Sequence, residues 1–207
     1  MKLYTFPPSP NSLRVFAVAH ETGQHLEMVP LDLSKGEHLK PEFLKLNPNH
    51  KIPTLVDGDF VLWESTAIML YLAYKAGGKL IPTDPRQRAL MHQWISWNTA
   101  HLGPACGTFL FENMVKGLLK IGQPDPKQLA KADEEFARFG AVLNDHLKGR
   151  KHLVGENTTI ADHHMFGSFV HAGGCGLPVA KFPEIQRWAA AMAASAPWQK
   201  ALAVLKH

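Results

Sequence analysis

Apolar positions along the first 80 residues fall into short strand-like runs separated by longer runs with helical spacing. The predicted order is strand, helix, strand, short helix, two hairpin strands and helix, at Met1–Phe6, Ser12–Thr22, Leu26–Leu31, Pro41–Leu46, Thr54–Val56, Phe60–Leu62 and Glu64–Ala76. Glycines follow the first and last of these helices, as is common at helix C-termini. This order predicts a layer of helices packed on a sheet.

The rest of the chain carries no strand signal. Leu80 to Pro85 contains two prolines and no periodic pattern, which predicts a linker. Helical spacing then recurs at Arg86–Lys116, Pro126–Lys148, Thr159–His171, Phe182–Ala194 and Pro197–Lys206. The predicted fold class is therefore α/β followed by all-α, with a thioredoxin-like domain at residues 1–80 and an all-helical domain at residues 86–207.

Composition narrows the class of protein. The 207 residues contain no apolar run near the ~20 residues needed to span a membrane and no start typical of a secretory signal. The only two cysteines, Cys106 and Cys175, lack metal spacing and are too few for a disulfide framework. The net charge of +4 is scattered rather than striped, which argues against a nucleic-acid partner. We therefore expect a cytoplasmic protein with no membrane partner, and a cleft suited to a small anion.

The most informative stretch runs from Asn47 to Tyr71. Pro53 opens a strand, so the bond between Ile52 and Pro53 is a candidate for a cis peptide. The backbone just before it is free to pair with an extended ligand. Beyond the hairpin, Glu64 and Ser65 lie at a helix N-terminus, where unpaired N–H groups and the helix dipole favour anions. Together these features suit a small peptide that carries carboxylates.

This arrangement resembles the glutathione S-transferase family, in a bacterial, serine-type, theta/phi-like form. Five motifs carry the resemblance over essentially the whole chain: a first strand at Met1–Phe6, an active-site turn at Ser9–Val15, a cis-proline loop at Lys51-Ile52-Pro53, an acidic-serine pair at Glu64-Ser65 and a capping box at Thr159–Asp162. The resemblance implies a detoxifying homodimer that uses glutathione as co-substrate against a small hydrophobic electrophile, without a metal.

The turn after the first strand holds three candidate catalytic side chains. The spacing from Ser9 to Arg14 is similar to that of serine-type transferases, in which the hydroxyl donates to the glutathione sulfur. A free thiol has a pKa near ~8.5, and a donor beside a helix N-terminus favours the nucleophilic thiolate. Ser12 is an alternative donor that also suits a helix cap, and Asn11 could donate through its amide. Because no cysteine stands in this turn, thiol–disulfide exchange is not expected.

The remaining predicted site residues follow from the same resemblance. His38 and Lys51 are expected to bind the glycine carboxylate of glutathione, and Ile52, next to Pro53, to act through its backbone. Glu64 would pair with the γ-glutamyl ammonium, while Ser65 and the helix N–H groups would bind the γ-glutamyl carboxylate.

The helical domain adds expectations of its own. Trp97 and Phe109 are candidates to line a second-substrate pocket. No acid lies between Arg86 and Phe111, so the ammonium contact that an acid makes in theta-like relatives is missing, or a neutral group such as Asn98 replaces it.

Two alternatives to glutathione conjugation stay open at the level of sequence, and a metal site is not one of them. The adjacent pair His163 and His164 would point about 100° apart on a helix, so a shared metal is not expected. The same glutathione site could serve a peroxidase, a dehalogenase or an isomerase. The turn also departs from the isomerase pattern of Ser-Ser-Cys-Ser, which speaks against that activity. A non-catalytic scaffold that only binds glutathione is the alternative outside enzymology.

Overall fold

The computed structural model describes residues 1–206. Its contacts divide the chain into two compact units. The first consists of Met1–Ile81 together with the segment that begins at Ala194, and the second is Pro82–Ala193. The predicted fold class is confirmed, since a mixed sheet with helices is followed by a helical unit.

The first unit is built on a four-stranded sheet with the order β2-β1-β3-β4. Its strands are β1 at Lys2–Thr5, β2 at Glu27–Pro30, β3 at Thr54–Asp57 and β4 at Phe60–Trp63. β1 is parallel to β2 and antiparallel to β3, and β3 forms a hairpin with β4. Leu3 and Leu55 face each other in register, and both are fully buried. The core of this unit therefore lies against the central strands.

Three helices accompany the sheet: α1 at Pro10–Thr22, α2 at Pro41–Leu44 and α3 at Ser65–Lys75. α1 packs on α3, and every α1 residue from Ser12 to Ala19 is buried. α1 ends at Gly23, whose φ of 72° lies in the left-handed region that glycine adopts without a Cβ penalty. Two single-turn 3₁₀ helices, Leu33–Lys35 and Glu37–Leu39, were not predicted because three residues carry no readable period.

The second unit opens with α4 at Pro85–Trp97, α5 at Gly103–Leu110 and α6 at Lys116–Leu119. Two π-helical turns, Asn98–Leu102 and Phe111–Val115, join them. The residues at the junctions are all helical in φ and ψ, so the chain continues through both turns without a break. A Cβ at Gly103 would lie 2.6 Å from the carbonyl oxygen of Asn98. Glycine is therefore required at residue 103, directly after the first π turn.

The later helices of this unit are α7 at Pro126–His146, α8 at Ile160–Gly167, α9 at Ala172–Cys175 and α10 at Pro183–Ala194. The predicted capping box at the start of α8 is confirmed. The carboxylate of Asp162 is fully buried and accepts the Thr159 N–H at 2.9 Å and the Thr159 hydroxyl at 3.1 Å. It also accepts the Leu153 N–H at 2.9 Å, so it fixes the preceding loop as well. α8 ends at Gly167, before the predicted His171.

The last helix, α11 at Ala196–Ala203, packs against α1 of the first unit. Trp198 and Ala201 are fully buried. The predicted division gave residues 86–207 to one helical domain, whereas the contacts assign this helix to the first unit. The apolar face of a helix predicts that the helix packs against another element, but the sequence does not identify that element. Within the described residues, no helix is both long and apolar enough to cross a membrane.

Candidate active site

The sheet register sets which loops share one end of the first unit. β3 runs antiparallel to β1 and pairs Thr54 with Tyr4, so the chain enters β3 beside the end of β1. β4 pairs Trp63 with Thr54, so the chain leaves β4 at the same end. Parallel β2 pairs Pro30 with Thr5 and also finishes there. Four chain segments, which precede or follow these strands, therefore lie at the same end of the sheet.

Each of these segments carries predicted site residues. The segment after β1 holds Ser9, and the segment after β2 leads to His38. The loop before β3 holds Ile52, and the segment after β4 begins with Glu64. The topology of the sheet therefore places residues that are far apart in sequence at one end of the sheet. The register therefore brings the predicted residues to the same end of the sheet, and their roles in a site stay predictions.

Ser9 is the N-cap residue of α1 and is half-buried. Its carbonyl accepts the N–H groups of Ser12 at 3.0 Å and Leu13 at 2.9 Å, and its own N–H donates to the carbonyl of Phe6 at 2.8 Å. The side chain makes no capping hydrogen bond to the helix. The backbone of Ser9 is thus fixed by three hydrogen bonds while its hydroxyl is not used as a cap. That leaves the hydroxyl able to donate to a ligand at the helix N-terminus.

The other two candidates in this turn differ in exposure. Asn11 is exposed, and its Oδ1 accepts a hydrogen bond of 3.5 Å from the hydroxyl of Ser65, which is mostly buried in the first turn of α3. Ser12 is fully buried, and its hydroxyl has no hydrogen-bond partner within residues 1–206. A side chain enclosed by its own unit cannot touch a ligand without rearrangement. The structure therefore favours Ser9 and Asn11 over Ser12 as donors.

Glu64 has an unusual backbone between β4 and α3. Its φ of 71° and ψ of 114° lie outside the regions that residues with a Cβ normally occupy. Such strain costs of order 1–3 kcal/mol and tends to cluster at functional sites. The side chain is exposed and makes no capping hydrogen bond. Because α3 begins at Ser65 and not at Glu64 as predicted, the carboxylate projects from the residue before the helix and is free to bind a cation.

The loop before β3 contains the cis bond between Ile52 and Pro53, which confirms the prediction. Lys51 is exposed, so its ammonium can reach an anion. The loop is organised by Asn47, which is only 2% exposed and donates its amide to the Lys51 carbonyl at 2.7 Å. Asn47 begins the informative stretch but was not a predicted site residue, because Asn before Pro signals only the end of the preceding helix.

His38 lies in the second 3₁₀ helix and is half-buried. Its Nδ1 is buried and has no hydrogen-bond partner among the described residues. The turn before it is held by Asp32, whose carboxylate accepts the Ser34 hydroxyl at 2.6 Å and the Ser34 N–H at 3.0 Å. Hydrogen bonds from Ser34 and Lys35 lower the pKa of Asp32 to about 2. The backbone that carries His38 is therefore anchored by an ionised carboxylate.

The second-substrate candidates lie in the second unit. Trp97 packs edge-to-face against Trp94 and Phe139, with ring centroids 5.2 Å and 6.0 Å away. Phe109 is 7% exposed. Trp97 is therefore part of the aromatic packing of this unit and Phe109 is buried in it, and the role of both in binding an electrophile stays a prediction.

Residues 1–74 match the glutathione S-transferase N-terminal domain, and residues 101–196 match the glutathione S-transferase C-terminal domain. The chain belongs to the glutathione S-transferase family. Glutathione S-transferase 3 of Zea mays is 38% identical over 214 residues, which cover 99% of this chain and 94% of that protein. The predicted membership of the family is thus confirmed, while its predicted bacterial, serine-type, theta/phi-like form stays a prediction.

Two solved structures of the glutathione S-transferase family share the fold. Glutathione S-transferase III in apo form has 36% identity and a TM-score of 0.87, covering 98% of this chain and 95% of its own. A family member from Pseudomonas fluorescens, solved with two glutathione bound, has 30% identity and a TM-score of 0.84. It covers 97% of this chain and 91% of its own.

In this member of the glutathione S-transferase family, Asn98 is not the substitute for an acidic ligand that the sequence left open. It is 1% exposed, and its amide nitrogen lies 3.1 Å from His164 Nδ1 and 3.1 Å from the Ser168 hydroxyl. Its hydrogen-bonding capacity is used inside the unit. His163 and His164 are both buried on α8. Within the described residues, no group of three or more His, Cys, Asp or Glu side chains is placed to hold a metal ion.

Proposed function

We propose that this chain is a glutathione transferase that binds glutathione at the end of the sheet where β1 finishes. The observation that carries the proposal is the convergence of four candidate segments at that end, set by the strand register. Membership of the glutathione S-transferase family supports the same reaction class. The relative solved with two glutathione bound supports the choice of ligand.

Glutathione would lie with its two carboxylate ends on different segments. The carboxylate of Glu64 pairs with the γ-glutamyl ammonium, and Ser65 with the first N–H groups of α3 binds the adjacent carboxylate. His38 and Lys51 bind the glycine carboxylate. Ile52, held next to Pro53, pairs its backbone with the peptide. Each contact matches an exposed or half-buried group at the same end of the sheet, except Ser65, which is mostly buried and acts through a hydroxyl in the first turn.

The chemistry requires a thiolate near neutral pH. Ser9 donates its hydroxyl to the sulfur, and the N-terminus of α1 adds a positive partial charge, so the thiol loses its proton more readily. The sulfur then attacks the electrophilic carbon of a small apolar compound, forms the S–C bond and displaces the leaving group. Asn11 is the alternative donor. We expect a cytoplasmic homodimer, as the resemblance implies, and the two free buried cysteines agree with a reducing compartment.

The test combines binding with turnover. Calorimetry with reduced glutathione and with S-hexylglutathione measures affinity, and an aryl halide assayed with and without glutathione measures conjugation. The proposal predicts binding of both ligands and a glutathione-dependent rate. A parallel panel of peroxides and haloalkanes distinguishes peroxidase and dehalogenase activities. Binding without turnover on any electrophile would identify a scaffold instead, and no binding would refute the proposal.

A further inference from the structure

We propose that Asn47 is a positioning residue that sets the direction of the peptide group between Lys51 and Ile52, and with it the backbone donor offered to a ligand. The inference rests on the proposed function, because it assigns a role within the same glutathione site. The segment concerned is residues 47–54, called here the proline loop. The sequence motifs assigned no role to Asn47.

The amide of Asn47 uses its full hydrogen-bonding capacity inside the proline loop. Its Nδ2 donates to the Lys51 carbonyl at 2.7 Å and to the Thr54 hydroxyl at 3.1 Å. Its Oδ1 accepts the Asn49 N–H at 3.0 Å and the Asn49 amide at 3.1 Å. An asparagine side chain has two donor hydrogens and two acceptor lone pairs, so all four are used. At 2% exposure, the side chain acts as an internal brace rather than as a ligand contact.

The brace fixes one peptide plane. The Lys51 carbonyl accepts Asn47 Nδ2 at 2.7 Å and the Thr54 hydroxyl at 3.3 Å, so it is turned toward the interior of the loop. In a planar trans peptide the N–H points opposite to the C=O. The N–H of Ile52 is therefore turned away from Asn47, and it has no acceptor among the described residues. This donor is left for the main-chain carbonyl of an extended ligand.

Thr54 connects the brace to the sheet. It is fully buried and pairs in register with Tyr4 on one side and Trp63 on the other, so its position is set by two neighbouring strands. Asn47 donates to its hydroxyl, and that hydroxyl donates onward to the Lys51 carbonyl. Thr54 therefore fixes the orientation of the Lys51–Ile52 peptide relative to the sheet. A side chain that only filled space at residue 47 would not transmit that direction.

The test separates orientation from stability with four variants. Asn47→Ala removes both donations, and Thr54→Val removes the hydroxyl while keeping the shape. Thr54→Ser restores the hydroxyl. Asn49→Ala is the matched control, because its side chain donates only to Asn47 Oδ1, away from the Lys51 carbonyl. Each variant is titrated with glutathione and with an analogue whose cysteinyl carbonyl is replaced by methylene, and its melting temperature is recorded.

We expect Asn47→Ala and Thr54→Val to weaken glutathione binding about fivefold, the equivalent of one hydrogen bond. The same variants should change affinity for the methylene analogue less than twofold, since that ligand lacks the acceptor. In turnover, KM for glutathione should rise while kcat stays within about twofold. Thr54→Ser and Asn49→Ala should bind both ligands like the wild type.

Equal losses for glutathione and for the analogue would overturn the inference, as would a lower melting temperature with unchanged affinity. If Asn47→Ala does not fold, the comparison of Thr54→Val with Thr54→Ser tests the same idea, because the Thr54 hydroxyl is the second donor to the Lys51 carbonyl. If the wild type binds neither glutathione nor S-hexylglutathione, the proposed function itself fails. Wild-type binding with no difference among the variants refutes only the role of Asn47.

Discussion

The hydroxyl of Ser65 donates a hydrogen bond to the side-chain oxygen of Asn11 across 3.5 Å, which joins the first turn of α3 to the first turn of α1. At that distance the bond is weak. Because the oxygen of Asn11 is turned toward Ser65, its amide nitrogen is left as a donor at the N-terminus of α1. This hydrogen bond connects the segment proposed to activate the thiol with the segment proposed to bind the γ-glutamyl group.

Replacing Ser9 with alanine should lower the rate of conjugation more than it lowers glutathione affinity. In the proposed reaction the hydroxyl stabilises the thiolate and does not hold the tripeptide, so its loss should raise the pKa of the bound thiol. Turnover of an aryl halide should fall near neutral pH and recover partly as the pH rises. The pH–rate profile, measured beside calorimetric affinity, checks both parts.

The controls for this prediction are Asn11→Ala and Ser12→Ala. Ser12 is fully buried, so its variant should keep the wild-type profile and change only stability. If Asn11→Ala shifts the profile and Ser9→Ala does not, the activating donor is the amide. If none of the three shifts it, a backbone N–H activates the thiol.

Two substitutions of Glu64 should separate its charge from its backbone. Both Glu64→Ala and Glu64→Gly remove the carboxylate, and each should weaken glutathione binding by about 1.5 kcal/mol, the lower end for a charged hydrogen bond because the residue is exposed. Only glycine tolerates a positive φ without a Cβ clash. Glu64→Gly should therefore be more stable than Glu64→Ala by about 1 kcal/mol. Equal stabilities in urea unfolding would contradict the strain assigned to this residue.

Asp162→Ala should harm the fold more than Thr159→Ala does. The alanine at 162 leaves the buried N–H groups of Thr159 and Leu153 without their acceptor, and each unpaired group costs about 1–3 kcal/mol. Removing only the Thr159 side chain should cost about 0.5–2 kcal/mol. Differential scanning calorimetry should rank the variants in that order, while the folded protein keeps its glutathione affinity. A collapse of turnover at unchanged stability would mean that Asp162 has a role in the reaction.

The ion pair between Glu112 and Lys116 should make stability depend on pH. The Lys116 ammonium, 2.6 Å away, and the Asp125 N–H, also 2.6 Å away, lower the pKa of Glu112 below its usual 4.5. A carboxyl with a lowered pKa in the folded state contributes stability above the unfolded pKa and loses it as the pH falls through the folded value. The Glu112→Gln variant should thus be less stable than wild type at neutral pH, with the difference shrinking below pH 4.5. Urea midpoints that differ by a constant amount down to about pH 3 would contradict this.

Local chemistry was predictable from the sequence where a motif lies within a few residues. The cis bond before Pro53 and the capping box of Thr159 and Asp162 are confirmed. Both were predictable because each geometry depends only on residues that are close in sequence. The choice between Ser9 and Ser12 was not predictable. Both are hydroxyls in one turn, and only packing of α1 against its neighbours shows which of them is buried.

Two other features depend on information that a single sequence does not carry. The π turn at Asn98–Leu102 adds about one residue to a single helical turn. This shift is too small to show in the apolar spacing, which predicts one regular helix. The role of Asn47 depends on the path of the proline loop, which returns to it four residues later at Lys51. Burial of a polar side chain among its own loop's backbone groups becomes visible only in three dimensions.

The packing of α11 on α1 has a consequence for biogenesis. The first unit encloses Trp198, yet this residue is synthesised after the whole of the second unit, Pro82–Ala193. While the ribosome is translating the second unit, the buried face of α1 that α11 covers is still open to solvent or to a chaperone. Domains generally fold in order from the N-terminus during synthesis. In this chain the order is reversed for the final step, since the unit made first is completed last.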